Sequence, residues 1–139
     1  MNRTKARQKA FSMVFELGFG HHSAEKIIEV SSLNDPNSVD DYSKSALLCI
    51  GRNLSDIDAF IEKYSVGWAL SRMSMVSVAI LRLAVYELMY MPDIPVSVSI
   101  NEAVELAKRY EGEECASFIN GILGTLEKNE TIDKQADAE

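Results

Sequence analysis

Two adjacent histidines, His21 and His22, come nearest in this sequence to forming a metal site. Neighbouring side chains on a helix point about 100° apart, so a helical segment would not aim both at one ion. The chain has no further histidine, and its two cysteines, Cys49 and Cys115, lie at no metal-ligand spacing. We interpret the histidines as exposed loop residues and expect neither a metal ion nor another cofactor.

Candidate catalytic residues are equally sparse. Cys115 lies near the start of a predicted helix, which favours the thiolate, but the neighbouring acids Glu113 and Glu114 oppose that effect. Glu102 and Glu105 lie one helical turn apart, on a face that we assign to solvent as a solubilising pair. The sequence contains no glycine-rich phosphate loop. It therefore predicts a protein that is not an enzyme.

The start of the chain is basic although the formal net charge is -7. From residue 1 to residue 15 every charged side chain is a cation, and the first acid is Glu16; the cations are Arg3, Lys5, Arg7 and Lys9. The helix macrodipole disfavours cations at a helix N-terminus, so helix stability does not explain them. This segment can hold a polyanion while the acidic remainder repels non-specific binding. The alternative is that these residues are only a solvated helix start.

Length and composition indicate one globular domain of 139 residues, of which 47% are hydrophobic. The most apolar stretch, residues 76–91, is interrupted by Ser77, Arg82 and Glu87, so it predicts a buried helix rather than a membrane span. The N-terminal cations are not followed by an apolar run, so we expect no secretory signal. Unpaired cysteines suit a reducing compartment, and we expect a cytoplasmic protein.

Apolar residues recur at helical spacing throughout, and no segment alternates as a half-buried strand does. We predict an all-α fold of about seven helices in two packed helical subdomains of a single domain, residues 1–139. The first subdomain covers about residues 1–70, the second about 71–129, and a polar tail follows at 130–139. Residues 31–38 are predicted to be a loop, Ser38 to cap a third helix that starts near Val39, and Trp68 to anchor the core.

The fifth predicted helix carries two charged residues, Arg82 and Glu87, among apolar neighbours. Charged side chains are rarely buried without partners, so we expect each to pair internally or to extend to the surface. The alternative is that Glu87 or Tyr86 contacts a protein partner.

Three segments resemble the NusB family in the right order, and together they cover most of the chain. They are RTKARQKAFSMVFELGF (3–19), RMSMVSVAILRLAVYELMYMPDIPVSVSINEAVELAKRYEGEE (72–114) and SFINGIL (117–123). The resemblance implies a bacterial transcription antitermination factor that binds boxA-type single-stranded RNA together with the ribosomal protein NusE. It implies an indirect association with the transcription elongation complex, notably on ribosomal RNA operons.

The resemblance also implies roles for particular residues. The N-terminal cations contact RNA phosphates, Phe118 stacks on a base, and Glu114 faces the RNA and weakens its binding. The alternative for Phe118 is ordinary core packing. Phe15 and Ser77 match positions near the NusE surface. We expect the cations and Phe118 to border one continuous positive groove, and Asn120 to make a structural hydrogen bond.

Departures from the family pattern leave alternatives open. Many members carry a denser arginine cluster at the N-terminus, and a charged pair where this chain has Ser77 and Val78. The rival interpretation is a helical protein-interaction domain, or an accessory domain for ribosomal RNA modification, without RNA affinity of its own. A monomer and a homodimer are both compatible with the sequence.

Overall fold

The computed structural model describes residues 2–130, and within that range the chain forms seven α-helices and no strand. The predicted all-α fold is confirmed. The polar tail lies outside the described residues except for Glu130. The helices are α1 Arg3–Leu17, α2 Ala24–Asn34, α3 Asp41–Arg52, α4 Leu54–Tyr64, α5 Met75–Tyr90, α6 Val96–Tyr110 and α7 Glu113–Asn129, with a 3-10 turn at Leu70–Arg72.

Helix α5 lies at the centre of the fold. Every side chain from Ser77 to Leu88 is buried, because the helix is apolar on all faces and α1, α3, α4, α6 and α7 all pack against it. One hydrophobic core contains buried residues from all seven helices. The division into two subdomains near residue 70 stays a prediction.

Helices α6 and α7 form an antiparallel hairpin. Gly112, which joins them, has a φ of 109°. Glycine adopts this backbone conformation readily, whereas a residue with a Cβ would be strained in it. The tight turn keeps the two helices in contact along their length. Helix α6 also contacts α1: the ring of Tyr110 stacks on that of Phe11, with ring centroids 4.7 Å apart.

Two predicted helix boundaries were wrong. Helix α2 continues to Asn34, so the predicted loop at residues 31–38 is helical over its first half. Serines at positions 31 and 32 have modest helix propensity, which disfavours a helix only weakly. Helix α3 begins at Asp41 rather than near Val39, because the Asp40 carboxylate, not Ser38, caps it by accepting a hydrogen bond from the Ser43 amide.

The Arg82 side chain ties α5 to α4. Its Nε and Nη2 donate to the two carboxylate oxygens of Asp58, each at 2.8 Å. Gly18, just after the end of α1, packs closely against α5. A Cβ added to Gly18 would lie 2.9 Å from Met75 Cε and 3.3 Å from Arg82 Nη1. The prediction that Arg82 pairs internally is confirmed, and the pair fixes where α4 and α1 meet α5.

Candidate nucleic-acid interface

The first turn of α1 presents cations to solvent. The side chain of Asn2 caps the helix by accepting a hydrogen bond from the Lys5 amide at 2.8 Å. Arg3 and Lys5 are exposed and Lys9 is half-buried. None of these three forms an ion pair with a described acid. They therefore keep their charge available for an anionic ligand.

Arg3 is held against an aromatic ring. Its guanidinium carbon lies 4.8 Å from the centroid of the Tyr42 ring, within the range of a cation–π contact. The Tyr42 hydroxyl in turn donates a hydrogen bond to the Glu87 carboxylate. Burial, together with the adjacent Glu87 charge, raises the pKa of Tyr42, so the ring stays neutral beneath the cation.

Arg7, which we expected to contact RNA with the other three cations, is buried. It is only 5% exposed, and its Nε and Nη2 donate to Glu87 at 2.7 and 3.1 Å. Its Nη1 lies 3.4 Å from Glu102. Burial alone lowers the pKa of Arg7, but the hydrogen bonds and the charge of Glu87 outweigh burial and raise it. A guanidinium already matched by two carboxylates is poorly placed to neutralise a phosphate.

Glu87 is the acid around which this buried cluster forms. It is 2% exposed and accepts hydrogen bonds from Arg7, Tyr42 and Ser99, the last at 2.8 Å. The prediction that Glu87 pairs internally is confirmed. Glu102, which we assigned to solvent, is half-buried because it contacts Arg7.

An aromatic pair lies on the far side of α6 from these cations. Phe118 of α7 is half-buried, and its ring meets that of Trp68 edge to face, with centroids 5.9 Å apart. Trp68 was predicted to be a core residue but is 52% exposed. Gly67, with a φ of 85°, precedes it in the connector after α4. The prediction that Trp68 anchors the core is therefore wrong, and its exposed ring is available for a surface contact.

Comparison with known proteins decides the family. The family model described as NusB family matches residues 4–128 of the chain. The chain belongs to the NusB family. The "Transcription antitermination protein NusB" of Acetivibrio thermocellus is 46% identical over 132 residues, which cover 92% of this chain and 90% of that protein. The NusB of Thermoanaerobacter pseudethanolicus is 39% identical over 135 residues, 96% of each chain.

Solved NusB structures have the same fold. The chain of T. maritima NusB superposes with a TM-score of 0.84 at 35% identity, covering 100% of this chain and 99% of that one. A chain from the crystal structure of the antitermination factors NusB and NusE in complex with dsRNA superposes with a TM-score of 0.79 at 24% identity, covering 94% and 100%. The second likeness establishes the shared fold.

The other residues singled out by the NusB resemblance have clear positions. Glu114 is exposed in the first turn of α7. Asn120 is exposed nearly two turns later, and its side chain makes no hydrogen bond to another described residue, so the prediction that it makes a structural hydrogen bond was wrong. Phe15 is half-buried between Phe11 and Phe19, with centroid distances of 6.2 and 5.0 Å. These three aromatic rings form a row along α1 and the turn that follows it, and the row ends in Phe19, which is 49% exposed.

Ser77 is not on the surface of this NusB fold. It is 4% exposed, and its hydroxyl lies 3.1 Å from that of Ser74 and 3.2 Å from the sulfur of Cys115. The small side chain fits inside the packed start of α5, so a direct contact with a partner is not available to it. Burial raises the pKa of the Cys115 thiol and keeps it protonated.

The surface between the cations and Phe118 carries both signs of charge. Helix α6 packs against α7 and contacts α1 through the pair between Glu102 and Arg7, and its exposed residues include Glu105 and Lys108, which pair at 3.6 Å, and Arg109. The described outward residues of α6 are therefore not uniformly positive, and one continuous positive groove from the cations to Phe118 stays a prediction. Within residues 2–130 no three His, Cys, Asp or Glu side chains converge as a metal site would require, and none of the helices is long and apolar enough to cross a membrane.

Proposed function

We propose that this chain is a cytoplasmic transcription antitermination factor, which binds boxA-type single-stranded RNA jointly with the ribosomal protein NusE. Through that complex it associates indirectly with elongating RNA polymerase and supports ribosomal RNA transcription. Membership of the NusB family supports this function, as does the description of its curated relatives as transcription antitermination proteins. A protein of the same fold has been crystallised with NusE and RNA.

The exposed cations at the start of α1 are the observation that carries the proposal. Arg3 and Lys5 project from a first turn that contains no acid, and the Asn2 cap and the Tyr42 ring hold this turn in place. Lys9 extends the surface by one turn along the helix. Charges held in place before binding lose less conformational entropy when a phosphate backbone docks.

Affinity for RNA without a partner is expected to be modest. Each phosphate neutralised on a single strand contributes a slope of about 0.7 in a plot of log K against log salt, so three cations give a slope of roughly 2. The overall negative charge of -7 opposes further non-specific contacts. NusE must therefore supply part of the binding surface.

Base contacts come from the aromatic pair Trp68 and Phe118. Unpaired bases stack on exposed aromatic rings with little dependence on sequence. Trp68 has the more exposed ring, and Phe118 supports it from the side. Glu114, four residues before Phe118 on α7, lies close enough to a bound strand to repel its phosphates.

The aromatic row on α1 is the surface that we assign to NusE. The row contains Phe11, Phe15 and Phe19, and its exposed end, Phe19, lies just beyond the C-terminus of α1, at the opposite end of the helix from the exposed cations. Exposed aromatic residues are enriched in the centres of protein interfaces.

A salt-dependent titration tests the proposal. Fluorescently labelled boxA-like RNA is titrated with the protein, with and without NusE, over a range of salt concentrations. We expect binding that NusE strengthens and that salt weakens steeply. A matched duplex measures the preference for single strands. In Arg3→Ala and Lys5→Ala variants the salt slope should fall by about 0.7 each.

Lys26→Ala is the matched control, because Lys26 is an exposed cation on α2 that pairs with Glu29. If Arg3→Ala, Lys5→Ala and Lys26→Ala all leave RNA affinity unchanged while NusE still binds, the rival interpretation as a protein-interaction domain is correct.

A further inference from the structure

A groove between α1 and α6 opens beside the exposed cations. Its volume is about 330 Å³, at the small end of the range for ligand sites, so it can hold a group about as large as one nucleobase. Thr4 and Gln8 line it from α1, and Glu102, Glu105 and Arg109 from α6. Arg7 lies at its base, already paired with Glu87 and Glu102.

Acidic, basic and uncharged polar side chains line this groove, and some of them make no hydrogen bond within the described chain. The Thr4 hydroxyl and the Gln8 amide make no hydrogen bond to another residue of the described chain. Glu105 is 57% exposed and forms only a surface pair with Lys108 at 3.6 Å. Two carboxylates and two guanidiniums line the groove, and one of these guanidiniums, that of Arg7, is already paired with Glu87, so the lining has no excess of positive charge. Such a site disfavours a phosphate and suits a neutral ligand with hydrogen-bonding edges.

We propose that the α1–α6 groove holds one unpaired base of the bound RNA, and that the carboxylates of Glu102 and Glu105 select guanine. This inference rests on the proposed RNA-binding function and names a specificity site within it. The neighbouring Lys5 and Arg3 hold the phosphates of the same strand, while the groove reads the base.

Guanine fits because of its donor pattern. Its Watson–Crick edge presents two adjacent donors, N1–H and the exocyclic amino group, which one carboxylate accepts together. Adenine and cytosine each offer an amino group beside an acceptor, and uracil offers one donor between two acceptors. An acceptor facing a carboxylate is repelled, so these three bases bind less well.

Arg109 provides a flat surface at the rim of the groove. Its guanidinium carbon lies 5.8 Å from the centroid of the Tyr110 ring, and Tyr110 stacks on Phe11. A guanidinium plane supported in this way can stack on a base that enters the groove. Stacking contributes affinity for any base, and the carboxylates then discriminate among bases.

Inosine substitution tests the assignment. Inosine differs from guanosine by the loss of the exocyclic amino group, so it removes one of the two donors. The protein–NusE complex is titrated with boxA-like RNA in which each guanosine is replaced in turn by inosine. At one position we expect affinity to fall roughly 10- to 100-fold, the range for the loss of one hydrogen bond to a charged group. In Glu105→Gln and Glu102→Gln variants that difference should shrink towards equality.

The control variant is Glu25→Gln, which removes the same charge from an exposed residue on α2. Its preference for guanosine over inosine should equal that of the wild type. If Glu105→Gln instead tightens binding of every RNA equally, the carboxylate only repels phosphates and the inference is wrong. Wild-type binding that is equal for guanosine and inosine at all positions overturns the inference but leaves the proposed function intact. No binding to any RNA, with or without NusE, overturns both.

Discussion

Arg7 and Glu87, which are 80 residues apart in sequence, form a two-point ion pair in the interior of the protein. The guanidinium Nε and Nη2 lie 2.7 and 3.1 Å from the two carboxylate oxygens, and the residues are 5% and 2% exposed. Tyr42 and Ser99 donate to the same carboxylate from α3 and α6. One acid therefore joins four helices and orients the cationic end of α1.

Replacing Arg7 with Ala should destabilise the fold strongly. Removing one partner leaves the Glu87 charge buried and only partly compensated, and the free energy of unfolding should fall by about 3–5 kcal/mol. Urea unfolding followed by circular dichroism measures the change.

Lys5→Ala on the same helix is the control, because Lys5 is exposed and should change stability by no more than about 0.5 kcal/mol. An Arg7→Ala variant that unfolds at the same urea concentration as Lys5→Ala would show that the pair contributes nothing to stability.

The sequence predicted that Glu87 is paired but not which residue pairs with it. Periodicity reports local structure, whereas the contact between α1 and α5 depends on how the helices cross. A signal for Arg7 was present, since Arg7 is three residues before Ala10 and seven before Val14, both completely buried. It therefore lies on the buried stripe of α1. Its positive charge favoured the surface interpretation, because the acid that neutralises it is distant in sequence.

The prediction for Trp68 was wrong in the opposite direction, because this residue was predicted to be buried but is exposed. A large apolar residue is usually predicted to be buried, and nothing in the local pattern distinguishes a core residue from an exposed one on a connector. Its position depends on the backbone turn at Gly67 and on the packing of α7 beside that turn. The seven helices and the family could thus be predicted from the sequence, but the burial of Arg7 and the exposure of Trp68 could not.

The pair between Arg82 and Asp58 should also contribute to stability, but less than the Arg7 pair. Their side chains are 11% and 25% exposed, so water screens the interaction in part. Arg82→Ala should lower the free energy of unfolding by about 1.5–3 kcal/mol, as expected for hydrogen bonds between charged groups.

A double-mutant cycle with Asp58→Ala isolates the pair. If Asp58 is the partner that matters, the second substitution costs little once Arg82 is gone, and the coupling energy exceeds about 0.5 kcal/mol. Additive effects would show that Arg82 stabilises the protein through packing instead.

Trp68→Ala should weaken RNA binding and leave the fold stable. The loss of one stacking ring is worth about 1–3 kcal/mol per base, and an indole that is 52% exposed contributes less to the core than a buried one. Anisotropy titration with boxA-like RNA and a thermal melt measure the two properties. Phe118→Ala should weaken both, because this ring also packs against the core.

Tyr90→Ala is the matched control, since Tyr90 is 43% exposed at the end of α5 and stacks on Tyr86. It should leave RNA affinity unchanged. If Trp68→Ala and Tyr90→Ala bind RNA equally well, the aromatic pair is not part of the RNA surface.

Glu114→Gln should tighten RNA binding, although the substitution slightly weakens α7. An acid in the first turn is favoured by the helix macrodipole, so its loss costs about 0.3–1 kcal/mol of helix stability. A phosphate near Glu114 is repelled, and unit charges 4 Å apart in water interact with about 1 kcal/mol, so removing the charge should raise affinity up to about fivefold. The gain should shrink at high salt, which separates it from a change in base stacking.

Glu25→Gln, on α2, should give no gain. Weaker binding by Glu114→Gln would mean that the carboxylate accepts a hydrogen bond from the RNA, and the start of α7 would then be a contact rather than a source of repulsion.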